Sequence, residues 1–418
     1  MNILITGGAG FIGSHTADAL INEGRRVRIL DSLEKTTHPA GKPEYLNASA
    51  EFVRGDTRDK ETLKKALEGM DAVFHFAAYQ DYLTDFSTFF HVNAVSTALL
   101  YEILIENKNL KIKKVIVAAS QAVMGEGRYK CPECFPKTKA YTYPGIRPES
   151  RLSAGDWDHK CPECDNALAW APSDESVINP CNQYALSKHS QEQIAIQLGG
   201  RYGIPSVVMR YSIVQGSRQS FYNAYSGAMR IFALSLFFDR KPVIFEDGKQ
   251  VRDFVNIDDV VDANLLVLEK EAANYNVYNV GGGRPHTVIE FYKAMEDVAG
   301  IKKSPVMSGH YRYGDTRHIF SDTSRLESLG WKPSGDIKKS INDYWNYLNR
   351  AERVDNILEY AQKHMEQSQV IRKVKKNNES VSAGGRQRLP AGAAHRLHAK
   401  MSYADTWQTA SGDLDKSV

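Results

Sequence analysis

No run of 18 consecutive apolar residues occurs in this 418-residue chain, so no segment reads as a membrane-spanning helix and no membrane partner is expected. Neither sign of charge dominates. There are 53 Lys/Arg and 50 Asp/Glu, a formal net of +3, which argues against a nucleic-acid-binding body. The excess sits at the end: residues 371–418 hold nine Lys/Arg and four Asp/Glu, net +5, leaving about −2 for the rest. Cysteine is scarce, at five residues. The opening Met1-Asn2-Ile3-Leu4-Ile5-Thr6-Gly7 reads as a buried strand entering a glycine turn, with no cationic leader, so a cytoplasmic location is expected. Thiols stay reduced there, which favours metal ligation over disulfides.

Four of the five cysteines form two copies of one tetrapeptide, Cys131-Pro132-Glu133-Cys134 and Cys161-Pro162-Glu163-Cys164. Such knuckles offer four thiolates to one tetrahedral Zn²⁺ at about 2.3 Å, and a Cys₄ set is coordinatively closed, hence structural. A thiol redox pair is the rival, but two identical pairs favour a shared metal. Cys181 reads as a packed residue.

Around the knuckles, short apolar runs alternate with helical patterns. Strands are expected at 3–6, 26–30, 51–54, 72–76 and 114–118, and helices at 12–22, 60–67 and 89–106. That rhythm implies parallel βαβ units covered on both faces. Residues 126–176 break it, being rich in Pro, Lys and Glu without periodicity, and read as an insertion organised by its metal. Alternation resumes with a helix at 183–202 and a strand at 206–210. The expected fold is α/β: a Rossmann doubly wound parallel sheet over 1–210 with a zinc-ribbon-like insertion at 126–176, and a substrate-binding lobe mainly over 211–350. Residues 351–418 would be helical to about 376 and then disordered.

Gly7-Gly8-Ala9-Gly10-Phe11-Ile12-Gly13 follows the first strand and opens the first helix. Glycine is needed there because a Cβ would block the tight turn and the approach of backbone N–H groups to a pyrophosphate. Gly7, Gly10, Phe11, Ile12 and Gly13 are the candidate cofactor contacts. Asp31 ends the second strand, where a carboxylate bonds ribose hydroxyls and repels a 2′-phosphate, favouring NAD over NADP.

Tyr184 and Lys188 lie four residues apart on an expected helix and so share a face. Ser120 ends the fifth strand, at the carboxyl edge where open α/β sheets bind ligands. A free phenol is ionised to only about 0.1% at pH 7. A neighbouring ammonium and a positive nicotinamide could lower its pKa by about two or three units and make it a competent base. Ser120 would orient the substrate hydroxyl.

Thr6-Gly-Gly-Ala-Gly-Phe-Ile-Gly13, His75-Phe-Ala-Ala78, Ser120 and Tyr184-x-x-x-Lys188 together resemble the extended short-chain dehydrogenase/reductase family, most closely its nucleotide-sugar epimerases and dehydratases. Further matches are Arg54-Gly-Asp56-Thr57, Arg252-Asp-Phe-Val255, Tyr278-Asn-Val-Gly281 and Arg312-Tyr-Gly-Asp315, so the likeness spans about residues 1–350. The four-cysteine insertion with Gly314–His318 is similar to a branch described as dTDP-L-rhamnose 4-epimerases. The resemblance implies that Asp56 and Thr57 contact adenine, that Ala77 and Ala78 line the cofactor channel, and that Tyr184 and Lys188 also touch the cofactor, Lys188 through the nicotinamide ribose. It implies that Arg252 and Arg312 grip a substrate diphosphate, that Asp315 helps hold the nucleotide, and that Ser120 meets the sugar. Partners would be a nucleoside-diphosphate sugar and a second copy of the chain, paired through the helices at 89–106 and 183–202.

Three departures stand out. Ser212-Ile213 replaces the family's aromatic-Asn pair, and Met124 stands where tyrosine is usual. Ser120-Gln121-Ala122 lacks the dehydratase Thr-Asp-Glu, so water elimination has no acid and base. The expected activity is NAD-dependent epimerisation, at C4, of a nucleoside-diphosphate hexose. A reductase or decarboxylase of the same family and a non-catalytic nucleotide-sensing or scaffold protein remain the alternatives.

Overall fold

The expected alternation builds a seven-stranded parallel sheet. The computed structural model describes residues 1–374 apart from 82–83, 222–226, 353, 355 and 368–369. Its first five strands are β1 (Asn2–Thr6), β2 (Arg26–Asp31), β3 (Glu51–Arg54), β4 (Ala72–His75) and β5 (Lys114–Ser120). Then come β6 (Arg128–Lys130), β7 (Ala169–Ala171), β8 (Ser206–Tyr211), β9 (Ile213–Gln215), β10 (Val243–Ile244), β11 (Val251–Asn256) and β12 (Asn276–Val280). The main sheet runs β12-β8-β5-β4-β1-β2-β3, every neighbouring pair parallel. Its order reverses between β1 and β4, which opens a crevice at their carboxyl ends.

Strand residues alternate between two cores. Ile3, Ile5, Phe74, Ile116, Val207 and Met209 share one with Ala17 and Leu20 of helix Phe11–Asn22 and Val260 of helix Ile257–Glu269. Leu4, Val73, Val115, Val117 and Val208 share the other with Leu63, Leu100, Tyr101 and Ile103. Burial on both faces explains why these strands read as continuous Val/Ile/Phe runs. Each such side chain contributes about 1.5–3 kcal/mol. Helix Phe86–Glu106 is long and apolar enough to cross a bilayer by length and composition, yet its Leu100, Tyr101 and Ile103 are fully buried in this second core. Both it and the helix at 183–202 carry a π-type turn, at Phe90–Val95 and Ile194–Leu198.

The partition at residue 210 needs correction. Residues 257–280 return to the sheet: helix Ile257–Glu269 packs on the helix Phe11–Asn22, and β12 pairs with β8 from Asn276↔Val207 to Val280↔Tyr211. A parallel neighbour needs a crossover helix, so a segment read as substrate lobe completes the Rossmann layer. The lobe's own core gathers Phe232, Phe254, Phe291, Tyr292, Ile341 and Tyr344.

Within 126–176 the structure adds regular elements that the sequence did not signal. β6 and β7 pair antiparallel, and Phe135–Thr138 and Glu149–Leu152 form single helical turns. At the other end, the stretch expected to be helical to 376 divides into helix Leu358–Gln367 and strand Ile371–Lys373, which pairs antiparallel with His310–Arg312. The expected disordered tail, 377–418, lies outside the described residues.

Candidate active site

The glycine loop sits at the reversal in strand order. Gly7 has φ +67°, and a Cβ on it would stand 2.7 Å from the backbone nitrogen of Ala77, just past β4. Only glycine fits that approach. A Cβ on Gly13 would stand 2.5 Å from the Gly7 carbonyl oxygen, which is why the helix can start so close to the turn. Gly10 caps helix Phe11–Asn22 without a side-chain hydrogen bond, leaving the first-turn amides for an anion. Asp31 is 9% exposed, and its two oxygens accept from the N–H groups of Ala9 and Leu33, each at 2.9 Å. Each carboxylate oxygen keeps a further lone pair for a ribose hydroxyl. Asp56 is clamped by Arg58 at 2.6–3.0 Å, and that bond holds its carboxyl below the usual range. Thr57 is buried beside it. The Ala77 N–H donates to Thr6 Oγ1 at 3.2 Å.

Ser120, Tyr184, Lys188 and Ala78 line one cavity of about 650 Å³, together with Phe11, Ile12, Arg252, Arg312 and Asp315. Asn182 caps the helix at 183–202 by accepting from the Ala185 N–H at 2.8 Å, which sets Tyr184 in its first turn. Lys188 lies one turn on, buried, donating to the Ala118 carbonyl at 2.7 Å and to Gln191 Oε1 at 2.9 Å. Burial lowers its ammonium to about 7, against a smaller upward pull from Glu192. Burial also pushes the Tyr184 phenol up to about 12, with the Ser120 hydroxyl pulling the other way. His75, fully buried near Lys188, is driven down to about 3 by burial and then by that lysine, so it stays neutral.

Across the cavity, Arg252 and Arg312 converge on one carboxylate. Asp315 Oδ2 accepts from Arg252 Nη2 at 3.3 Å and Arg312 Nη2 at 3.0 Å. Burial raises the Asp315 carboxyl, but Arg312 and Arg252 outweigh it and leave the group below the ordinary range.

The four knuckle cysteines also come together. Their sulfurs all lie within 4.8 Å of one another, with Cys131–Cys164 at 3.5 Å, Cys134–Cys164 at 3.6 Å and Cys134–Cys161 at 3.9 Å. Tetrahedral Zn–S bonds of about 2.3 Å place sulfurs about 3.8 Å apart, so the set fits zinc. Phe135 opens a helical turn after the first knuckle, and Asp165 takes φ +57° after the second; neither position needs glycine, and aspartate tolerates that conformation. Cys181 is half-buried, its thiol donating to the Asn179 carbonyl at 3.1 Å.

The NAD dependent epimerase/dehydratase family model matches residues 3–147 and 166–281, well over half of the chain. The chain belongs to this family. Among its relatives, the dTDP-L-rhamnose 4-epimerase of Burkholderia thailandensis is 29% identical over 356 residues, covering 83% of this chain and 94% of its own length. The crystal structure of the Thermotoga maritima UDP-glucose 4-epimerase with UDP-glucose superposes with a TM-score of 0.67 at 30% identity, covering 84% of this chain and 99% of that one. The Thermus thermophilus UDP-glucose 4-epimerase complex with NAD gives 0.63 at 26%, covering 84% and 100%.

The family model passes over 148–165, inside the insertion. Of the family departures, Met124 is fully buried in a small cluster with Val177 and Ile319, behind the cavity wall to which Ile319 and Gly125 contribute. Ile213 does line the cavity. Ser212 lines it too, and its hydroxyl donates to Asp253 Oδ2 at 2.7 Å, in a buried network where Gln121 Nε2 reaches Ser321 at 2.7 Å, Ser212 at 3.0 Å and Asp253 at 3.3 Å. Sequence reading missed this wall, although the Ser212 substitution pointed to it. It also missed Arg147, Glu246 and Arg317, a buried ion cluster beneath Asp315. Arg317 belongs to the Gly314–His318 signal; Arg147 had no signal.

Proposed function

We propose that this chain is an NAD-dependent epimerase that inverts C4 of a nucleoside-diphosphate hexose. The observation that carries the reading is the meeting of Ser120, Tyr184 and Lys188 with Arg252 and Arg312 in one cavity, beside a glycine loop at the reversal in strand order. The named activities of the Burkholderia and Thermotoga relatives support it.

The loop amides would hold the cofactor pyrophosphate and Asp31 its ribose. Bound NAD would supply the hydride acceptor and donor and a positive ring near the phenol. Tyr184 would take the proton of the C4 hydroxyl through its phenolic oxygen and return it to O4 after the 4-keto sugar presents its other face. A phenol at about 12 is ionised in only about one molecule in 10⁵ at pH 7, so it needs positive charge nearby to act as a base. Protonated Lys188 supplies part of it. Ser120 would orient the C4 hydroxyl, while Arg252 and Arg312 grip the diphosphate through charge-assisted bonds. Gln121, an amide tied into the Asp253 network, cannot serve as the acid of a dehydratase.

The Cys₄ set would hold a structural zinc that fixes the insertion beside the pocket. Phe86, Val95, Leu186 and Tyr202, each 41–53% exposed on the two long helices, support a homodimer through those faces.

Incubating the purified, NAD-loaded protein with dTDP- and UDP-hexoses and following C4 by NMR tests the reading. Inversion without net NADH formation is expected. Stoichiometric NADH release or CO₂ evolution would move the chain to the reductase or decarboxylase alternative, and no turnover across the panel would leave the non-catalytic one.

A further inference from the structure

The insertion reaches the substrate grip through buried charge. Arg147 lies within 126–176, and its side chain is 3% exposed. Its Nη1 and Nη2 donate to Glu246 Oε2 at 2.9 Å and Oε1 at 2.7 Å, a bidentate fork, and Nη2 also donates to the backbone carbonyl of Asp315 at 2.8 Å. Glu246 Oε2 accepts as well from Arg317 Nη1 at 3.0 Å. Two further insertion carboxylates hold Arg317: Glu126 Oε2 accepts from its backbone N–H at 2.8 Å, and Asp158 Oδ1 from its Nε at 2.8 Å. The segment 315–317 is therefore clasped at three points by residues of the insertion. On its other side, the Asp315 carboxylate carries Arg252 and Arg312.

A surface ion pair would mean little here, but Glu126, Arg147, Glu246 and Arg317 are almost wholly out of water. Buried ion pairs stabilise weakly compared with apolar packing of equal volume, so what they supply is fixed geometry. Arginine suits the task because its planar fork can satisfy a carboxylate and a carbonyl at once, whereas lysine is a point charge.

We propose that Arg147 is a positioning residue for the diphosphate grip: it fixes the Asp315 backbone so that Arg252 and Arg312 stay converged on the cavity. The insertion is then part of the substrate site. This rests on the reading of Arg252 and Arg312 as diphosphate ligands.

The test uses full-length protein with NAD and zinc content measured, in wild type, Arg147→Met, Arg147→Lys and Asp158→Asn. Affinity for dTDP and UDP is read by calorimetry, and KM and kcat with a turned-over sugar nucleotide. Arg147→Met should weaken nucleoside-diphosphate binding and raise KM about 10- to 100-fold, with kcat nearly unchanged and both contents intact. Arg147→Lys should recover part of the loss, and Asp158→Asn, half-exposed and less disruptive, should shift KM the same way by a smaller factor. Wild type that binds neither diphosphate sinks the functional reading alone. Wild type that binds, with loaded Arg147→Met binding equally well, overturns the proposal. So does a raised KM accompanied by a fall in both kcat and zinc content, which marks general collapse. If Arg147→Met does not fold, Asp158→Asn decides: an unchanged KM overturns the proposal, a raised one sustains it.

Discussion

The Lys188 ammonium stands 5.9 Å from the centre of the Tyr184 ring, one helical turn away. Burial acts on both in the same sense, towards neutrality: it lowers the lysine to about 7 and raises the tyrosine to about 12. Both shifts disfavour charge in the buried pair. The lysine's own donors are committed to the Ala118 carbonyl and Gln191, while the phenol faces the cavity.

Replacing Tyr184 by Phe removes the proposed proton acceptor and little else. A positioned base contributes about 10²- to 10⁴-fold, so the rate of C4 inversion, followed by NMR, should fall by at least that. Cofactor retention, read from absorbance after denaturation, should persist. Undiminished turnover would end the proposed mechanism.

The lowered Lys188 value has a signed consequence for stability. Below pH 7 the native lysine is charged and carries its full burial penalty. Between about 7 and the unfolded value near 10.4, the unfolded chain binds more protons than the native one, so this group's contribution rises with pH. Lys188→Met abolishes that slope. Cofactor-free variant should melt above wild type at pH 6, with the gap closing or reversing by pH 9. A gap that stayed constant across that range would show that Lys188 does not titrate there.

Much of this was legible because it is local. Gly7 to Gly13 with Asp31, and Tyr184 with Lys188, are short-range patterns whose chemistry follows from backbone geometry. Strand limits came within one or two residues because buried parallel strands read as apolar runs. Arg147 and Glu246 are bonded across 99 positions, and nothing in either neighbourhood marks a buried partner. The return of 257–280 to the sheet was hidden for a similar reason. Parallel pairing is long-range, and Asn276–Val280 alone does not say which strand it joins. Ser212 was visible as a departure, but its role depends on Asp253 and Ser321, which only folding brings near.

Gly7→Ala tests the cofactor loop without touching a polar group. The new methyl would meet the Ala77 backbone at 2.7 Å, in a conformation with φ +67°. Backbone on that side cannot swing away as a side chain could, and a left-handed alanine costs about 1–2 kcal/mol before any clash. The variant should lose co-purified NAD and melt several degrees lower. Wild-type NAD content and melting temperature would show that the loop is looser than its geometry implies.

The proposed zinc site separates local from global effects. Cys131 and Cys161 are both buried, and with Leu168 and Tyr129 they form the insertion's own small apolar cluster. That cluster has too few apolar side chains to organise some 50 residues by itself, which is the part the proposed zinc would play. A Cys131→Ser/Cys161→Ser protein should lose zinc by elemental analysis and become sensitive to proteolysis within 126–176, while keeping NAD, whose proposed contacts lie on the main sheet. Because Glu126, Arg147 and Asp158 reach 315–317 from the insertion, KM for the sugar nucleotide should rise as well. Zinc-free protein with parental KM and kcat would show that the insertion keeps its shape without metal.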